Sequence, residues 1–328
     1  MYDVITVGSS TVDVFAKTEF MEEIKIMNKK EVTNLLAYPI GSKILVNELI
    51  FSTGGGGTNT AVSLARLGNK VAWLGVLGND ENANFIVNDL SKEKVDILAY
   101  REKGLSGYSL ILDSLEHDRT ILAYKGVNDY FNYNKVNLNK LKTNWFYFSS
   151  MMNDAFKSLV KLAKFAEKNK IKIAFNISEY LAKKGAYYLK DILSRTDLFV
   201  LNYEEAGYLI PSQDIKERLM ELHKLCPKIV VITDGHNDVN CYDGEFWYTG
   251  KNRDIKAVET TGAGDAFASS FLSGFIKKND IEFAIKLGMT NAHSVISCHG
   301  AKNKLLKWNE ALAALKKNPI KVFKKRLK

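Results

Sequence analysis

The sequence has no apolar run near the roughly 18 residues that a membrane-spanning helix requires. Its opening, Met1-Tyr2-Asp3-Val4-Ile5, carries no basic segment of a secretory signal. Cysteine is scarce: Cys226, Cys241 and Cys298 are odd in number and far apart. That excludes a disulfide framework and a zinc pattern and suits a reducing compartment, so the expected location is cytoplasmic, with no membrane partner. The five histidines show no ligand spacing. No proline- or serine-rich linker and no repeat interrupts the chain. It therefore reads as one domain over residues 1–328 with an appendage, rather than as two independent domains.

Hydrophobic residues make up 46% of the chain, enough for a large core. The net charge of +9 is concentrated at one end. Lys316, Lys317, Lys321, Lys324, Lys325, Arg326 and Lys328 stand without an acid among them. A basic tail over 316–328 is expected as a solvated or frayed end. No nucleic-acid-binding module accompanies the charge, so no nucleic-acid partner is expected.

Periodicity predicts short strands at Val4–Val7, Val71–Leu77, Trp145–Phe148, Ile171–Phe175, Leu198–Leu201 and Ile229–Thr233. Between and after them it predicts helices at Thr58–Leu67, Glu81–Lys92, Ala155–Lys168, Tyr203–Leu209, Ile215–Leu225, Gly262–Lys277, Ile281–Ser297 and Trp308–Lys316. This alternation implies an α/β fold whose central sheet is mainly parallel and flanked by helices. Residues 14–52 and 105–126 break the rhythm with alternating patterns and no comparable helix. They are expected to form a small protruding β-sheet that acts as a lid, and its edges could pair two copies into a homodimer.

Two glycine-rich segments carry chemistry. Glu259-Thr260-Thr261-Gly262-Ala263-Gly264-Asp265 opens a long helix. Small residues allow a tight turn, and a helix start offers unpaired N–H groups and a positive dipole end, which together make an anion site. Asp265 in the first turn could take a proton from a hydroxyl attacking phosphate. The bland alternative makes Thr261 or Asp265 an N-cap beside packing glycines. Gly54-Gly55-Gly56-Gly57-Thr58-Asn59 opens another helix. It is neither a dinucleotide fingerprint nor a P-loop, and could be either a ligand cradle or a capped turn.

Together these segments resemble both signatures of the ribokinase-like, or PfkB, family of carbohydrate kinases. Gly8 to Asp13, Gly126-Val127-Asn128, Asn202 to Glu205, Thr233-Asp234-Gly235, and Asn291 to Gly300-Ala301 fall in the family's order. The resemblance implies ATP and Mg²⁺, and phosphorylation of a sugar-like hydroxyl. It makes Asp265 the base and Gly262, Ala263 and Gly264 the anion hole. It places Asp13, Gly54, Gly55 and Asn59 on the substrate. Asn202, Glu205, Thr233, Gly235 and Asn291 fall to the nucleotide, Glu205 acting on magnesium through water. Glu259 replaces the family's usual Asp at a potassium site, so K⁺ is a candidate cofactor there.

The departures bear on the substrate. Ribokinases proper carry Asn where this chain has Thr11, Lys where it has Gly56, and Glu where it reads Phe148-Ser149-Ser150-Met151. Ribose is therefore not assigned; a sugar, a sugar acid or a nucleoside stays open. A non-catalytic relative is the alternative from another class, and the intact Asp265 weighs against it.

Overall fold

The computed structural model describes residues 1–18, 22–27, 32–113, 119–225, 228–253, 255, 260–298 and 300–327. Its body is a ten-stranded sheet. In spatial order the strands are Val322–Arg326, Phe246–Gly250, Val239–Tyr242, Ile229–Thr233, Leu198–Asn202, Lys172–Asn176, Thr143–Phe148, Tyr2–Val7, Val71–Leu74 and Asp96–Ile97. The seven from Ile229–Thr233 onward run parallel, and the first three pair antiparallel at the edge.

The strands are buried on both faces, which explains why Ile229-Val230-Val231-Ile232 is a continuous branched apolar run instead of an alternating one. Side-chain alternation then splits the core. Phe146 and Phe148 pack with Phe175, Phe199 and Leu201 on one face. Trp145 and Tyr147 pack with Phe267 and Phe271 on the other. The helices cover these faces with one apolar stripe each. In Asn153–Lys168 the buried set is Ala155, Phe156, Leu159, Leu162, Ala163 and Ala166, at helical spacing.

A second sheet has four strands, Arg119–Tyr124, Gly107–Asp113, Thr11–Lys17 and Glu48–Gly54, in that order. Its middle pair is parallel and its outer pairs are antiparallel. Glu22–Met27 and Val32–Ala37 form a separate antiparallel ribbon. Both irregular stretches of the sequence thus contribute strands outside the main sheet.

The basic stretch differs from the expectation of a frayed end. Trp308–Lys317 is helical, and Val322–Arg326 is the edge strand of the main sheet. Its side chains are largely exposed, so solvation holds while fraying does not. The aromatic rungs of Phe246–Gly250 supply the seat: Lys324 Nζ lies 3.9 Å from the Phe246 ring centroid. Arg326 pairs with Glu245 at 2.8 Å. An edge strand rich in lysine also discourages pairing with another chain.

Candidate active site

The parallel strands end on one side of the body, and the loops beyond those ends build the site. Strand Tyr2–Val7 leads to Gly8, which crosses the start of helix Gly56–Arg66 at backbone contact. A Cβ on Gly57 would lie 2.6 Å from the Gly8 carbonyl carbon and oxygen. Gly55, at φ +97°, caps this helix without a side-chain bond. The helix has no acidic residue in its first turn; Thr58 and Thr60 instead donate to the carbonyls of Gly54 and Gly56, each at 2.6 Å. The turn is therefore held by backbone and hydroxyls, leaving Gly54, Gly55 and Gly56 as an open ledge.

Each side of that ledge carries a carboxylate. Asp13 projects from strand Thr11–Lys17 and accepts from Thr11 Oγ1 at 2.9 Å. A Cβ on Gly54 would overlap its carboxylate. At the other end, a Cβ on Gly56 would meet Ser149 Oγ at 3.0 Å and Asp265 Oδ1 at 3.7 Å. The two carboxylates thus stand at opposite ends of the ledge.

Asp265 sits in the first turn of helix Ala263–Lys278. Gly262 precedes that helix in the left-handed conformation, φ +77° and ψ 0°. A Cβ there would be strained, and it would sit 2.5 Å from the Ala301 Cβ. No side chain caps the helix, so its leading N–H groups face the opening. In this conformation the Ala263 N–H donates to Thr260 O at 3.2 Å. Gly264 is exposed, with nothing within 4 Å of where a Cβ would stand.

Asn59 Nδ2 donates to Asp265 Oδ2 at 2.9 Å. The carboxylate fixes the amide's orientation, leaving the buried Asn59 Oδ1 without a partner. Burial pushes the Asp265 carboxyl up to about 6, against the opposing effect of the Asn59 bond. Ser149 Oγ and Thr261 Oγ1 are also buried and unpartnered. Such atoms point to ligand groups or water.

The residues expected on the nucleotide stand at the next strand ends. Asn202 and Thr233 are register partners at the ends of Leu198–Asn202 and Ile229–Thr233. Asn202 and Glu205 form a reciprocal capping box, with both bonds at 2.8 Å. Burial raises the Glu205 carboxyl to about 7, helped by the negative charges of Glu179, Glu204 and Asp265. The negative charge of Asp265 adds to the rise at Glu205, and a cation near Glu205 would relieve it. Mg²⁺ keeps several waters and leans on substrate phosphates, so this sparse donor set fits it. No group of three or more metal-ligating side chains occurs among the described residues. Gly235, at φ +50°, leaves open space beside Thr233.

Asn291, expected near the adenine, is fully buried with its amide spent inside the protein. It donates to Ser270 Oγ at 2.7 Å and accepts from Leu306 N at 2.9 Å. Glu259 lies outside the described residues. In the sequence Ser149 stands out only as a departure from the ribokinase pattern. Its place directly after strand Thr143–Phe148 is the signal that would have found it. Asn128, which has no role assigned from the sequence, accepts from Ser10 N at 3.0 Å and donates to Ser10 O at 2.9 Å.

A family model described as pfkB family carbohydrate kinase matches residues 6–308. An uncharacterized sugar kinase of Archaeoglobus fulgidus is 29% identical over 247 residues, spanning 74% of this chain and 98% of that one. A 5-dehydro-2-deoxygluconokinase of Clostridium perfringens is 28% identical over 267 residues, 75% and 78% of the two chains. The fold matches an Arabidopsis thaliana ribokinase solved with ribose and ATP, with a TM-score of 0.78 and 18% identity. That match covers 96% of this chain and 99% of the other.

Proposed function

The chain belongs to the pfkB family of carbohydrate kinases, and from that premise we propose that Asp265 is the base that readies an acceptor hydroxyl for the γ-phosphoryl group of ATP. The observation that carries this reading is the Asn59–Asp265 bond. It joins two glycine-rich elements 206 residues apart into one site. The acceptor lies on the Gly54-Gly55 ledge, with its hydroxyls on Asp13, Asn59 and Ser149. Its reacting hydroxyl faces Asp265. A carboxyl at about 6 is ionised at neutral pH and a stronger base than an ordinary Asp.

Charge developing on the phosphoryl oxygens meets the N–H groups of Gly262, Ala263 and Gly264, that of Ala263 exchanging the Thr260 carbonyl for the ligand. Asn202, Thr233 and Gly235 hold the nucleotide phosphates. Glu205 would hold Mg²⁺ through water, and the metal would supply neutralisation of phosphate charge. Glu259 would hold K⁺. Asn291 supports the fold behind the nucleotide and is not assigned a contact with it.

The small sheet closes over the acceptor and also pairs with its copy in a homodimer. Leu122, Leu110, Val14 and Phe51 form one rung across it, and the outer two are more than half exposed.

ATP consumption measured across sugars, sugar acids and nucleosides identifies the acceptor. On it, Asp265→Asn is expected to lose roughly 10²–10⁴ in turnover with nucleotide affinity little changed. Retention of more than about a third of turnover would remove Asp265 as the base.

A further inference from the structure

One buried cation lies behind the acceptor half of the site, where its charge and that of Asp13 act on each other. Lys302 is 6% exposed, far below what lysine usually shows. Its Nζ donates to Asp89 Oδ2 at 2.6 Å and also to Thr53 Oγ1, which itself bonds Asp89. The three groups close a triad across three elements. Lys302 lies in the loop that follows Gly300, Asp89 near the end of helix Glu81–Lys92, and Thr53 on strand Glu48–Gly54.

The neighbours in sequence give the triad its meaning. Residue 301 supplies the Cβ that fills the space beside Gly262, the first glycine of the anion hole. Residue 54 is the glycine against which the Asp13 carboxylate packs. Lys302 and Thr53 are thus one step along the chain from the phosphoryl side and the acceptor side respectively. The main chain of the same loop is fixed independently. Arg66, at the end of the glycine-opened helix, donates through Nη1 to Lys302 O at 2.8 Å and Leu305 O at 3.1 Å. Its Nε and Nη2 hold Glu93 at 2.9 and 2.5 Å.

We propose that Lys302 is a positioning residue that sets the distance between the acceptor ledge and the anion hole, and that it passes movement of the small sheet to the hole. Thr53 belongs to the small sheet, so a shift of that sheet on binding acceptor pulls on Lys302, and the adjoining Ala301 presses on Gly262. A buried charge pair suits this task better than apolar packing, because its bonds are directional. It adds little stability, because desolvation offsets its attraction.

The inference rests on the kinase reading of the site, so its test has one arm that needs no turnover. Thr53→Val keeps the shape and removes only the hydroxyl; Thr53→Ser restores it. Lys302→Met with Asp89→Leu removes both charges together and avoids leaving one buried alone. Thr53→Val is expected to lower kcat about tenfold, and the double variant about 100-fold, the scale of an ångström-level misplacement. KM for ATP should move less than about threefold, and Thr53→Ser should match wild type.

In the second arm, amide exchange over 260–266 is measured without ligands and should speed up in the double variant. Melting temperature controls for folding. Wild-type kcat or unchanged exchange in a folded double variant would overturn the proposal. A wild type that phosphorylates no acceptor would sink the kinase reading, and the exchange arm would still decide the role of Lys302.

Discussion

The two sheets of this protein solve the burial problem differently. Main-sheet strands such as Ile229–Thr233 and Leu198–Asn202 are covered on both faces and carry almost unbroken apolar runs. The small sheet is covered mainly at its middle. Val12 and Val14 are buried, whereas Leu49, Phe51 and Leu122 on the outer strands are more than half exposed. The first arrangement fixes catalytic atoms on a rigid floor. The second leaves apolar surface and two strand edges free to meet a ligand, the body or another copy. On the proposed function a division of labour follows: the phosphoryl machinery would be rooted in the body, and half of the acceptor seat, through Asp13 and Gly54, in the small sheet.

Breaking the acceptor half alone should show that division. Gly54→Ala places a methyl group on the Asp13 carboxylate. We expect kcat/KM for the acceptor to fall by about 100-fold while KM for ATP stays within about twofold, because the nucleotide half is rooted elsewhere. Steady-state kinetics with each substrate varied in turn checks this. Equal damage to both KM values would mean that the halves are not separable.

The body half should reveal itself through pH. The Asp265 carboxyl titrates at about 6 and that of Glu205 at about 7. Both are raised because burial disfavours the charged form. Activity needs ionised Asp265, so the rate should fall about tenfold per pH unit below 6 and level off above 7. Stability runs the other way. For a raised carboxyl, the stabilisation is present at low pH and lost as pH rises through the folded-state value. Asp265→Asn should therefore melt higher than wild type at pH 8 while being nearly inactive, and the gap should shrink toward pH 5. A variant that melts lower at pH 8 would show that the charge is not a burden on the fold.

The small sheet should respond to surface changes that leave the body untouched. Phe51→Glu together with Leu122→Glu should convert a micromolar dimer to monomer in sedimentation, with the body's melting temperature changed by only a few degrees. Wild type that sediments as monomer would end the homodimer idea. Exchange in Gly107–Asp113 and Arg119–Tyr124 should slow on binding acceptor and nucleotide. Identical exchange with and without them would count against closure.

The same contrast explains what could be read from sequence. Six of the seven parallel strands and most helices carry strong periodic signals, the two-residue Asp96–Ile97 being the exception, and Glu81–Lys92, Tyr203–Leu209 and Ile215–Leu225 fall where the pattern puts them. The antiparallel edge was not legible. Val239–Tyr242 and Phe246–Gly250 alternate weakly, and the basic Val322–Arg326 becomes a strand only because neighbouring rungs offer aromatic faces to Lys324. The glycine turns were legible because such a turn demands an unusual residue. Ser149, Asn128 and Lys302 were not, since a serine, an asparagine or a lysine acquires meaning only from what lies across from it. Asn291 illustrates the reverse: its motif position suggested a nucleotide contact, and its amide is consumed inside the core.

The smallest expected effect concerns the monovalent cation, and it sharpens the picture of the body half. The proposed anion hole is a run of N–H groups at a helix start with no side-chain cap, and Gly262 sits in a left-handed turn. A K⁺ ion near residue 259 would add positive charge beside the hole and keep those N–H groups in place. Glu259 keeps the negative charge of the family's Asp and is one methylene longer, which a small backbone shift can absorb. On this account K⁺ raises turnover several-fold over tetramethylammonium at constant ionic strength. The competing account has the Glu259 carboxylate bond directly to loop N–H groups and fix the hole without an ion. The two accounts differ again in Glu259→Asp. If an ion is held, shortening the side chain should keep or strengthen the response to K⁺. If the carboxylate itself does the holding, shortening it should lower turnover equally in potassium, sodium and tetramethylammonium salts. Equal wild-type rates in all three salts would remove the ion and leave the longer side chain as the device that holds the hole.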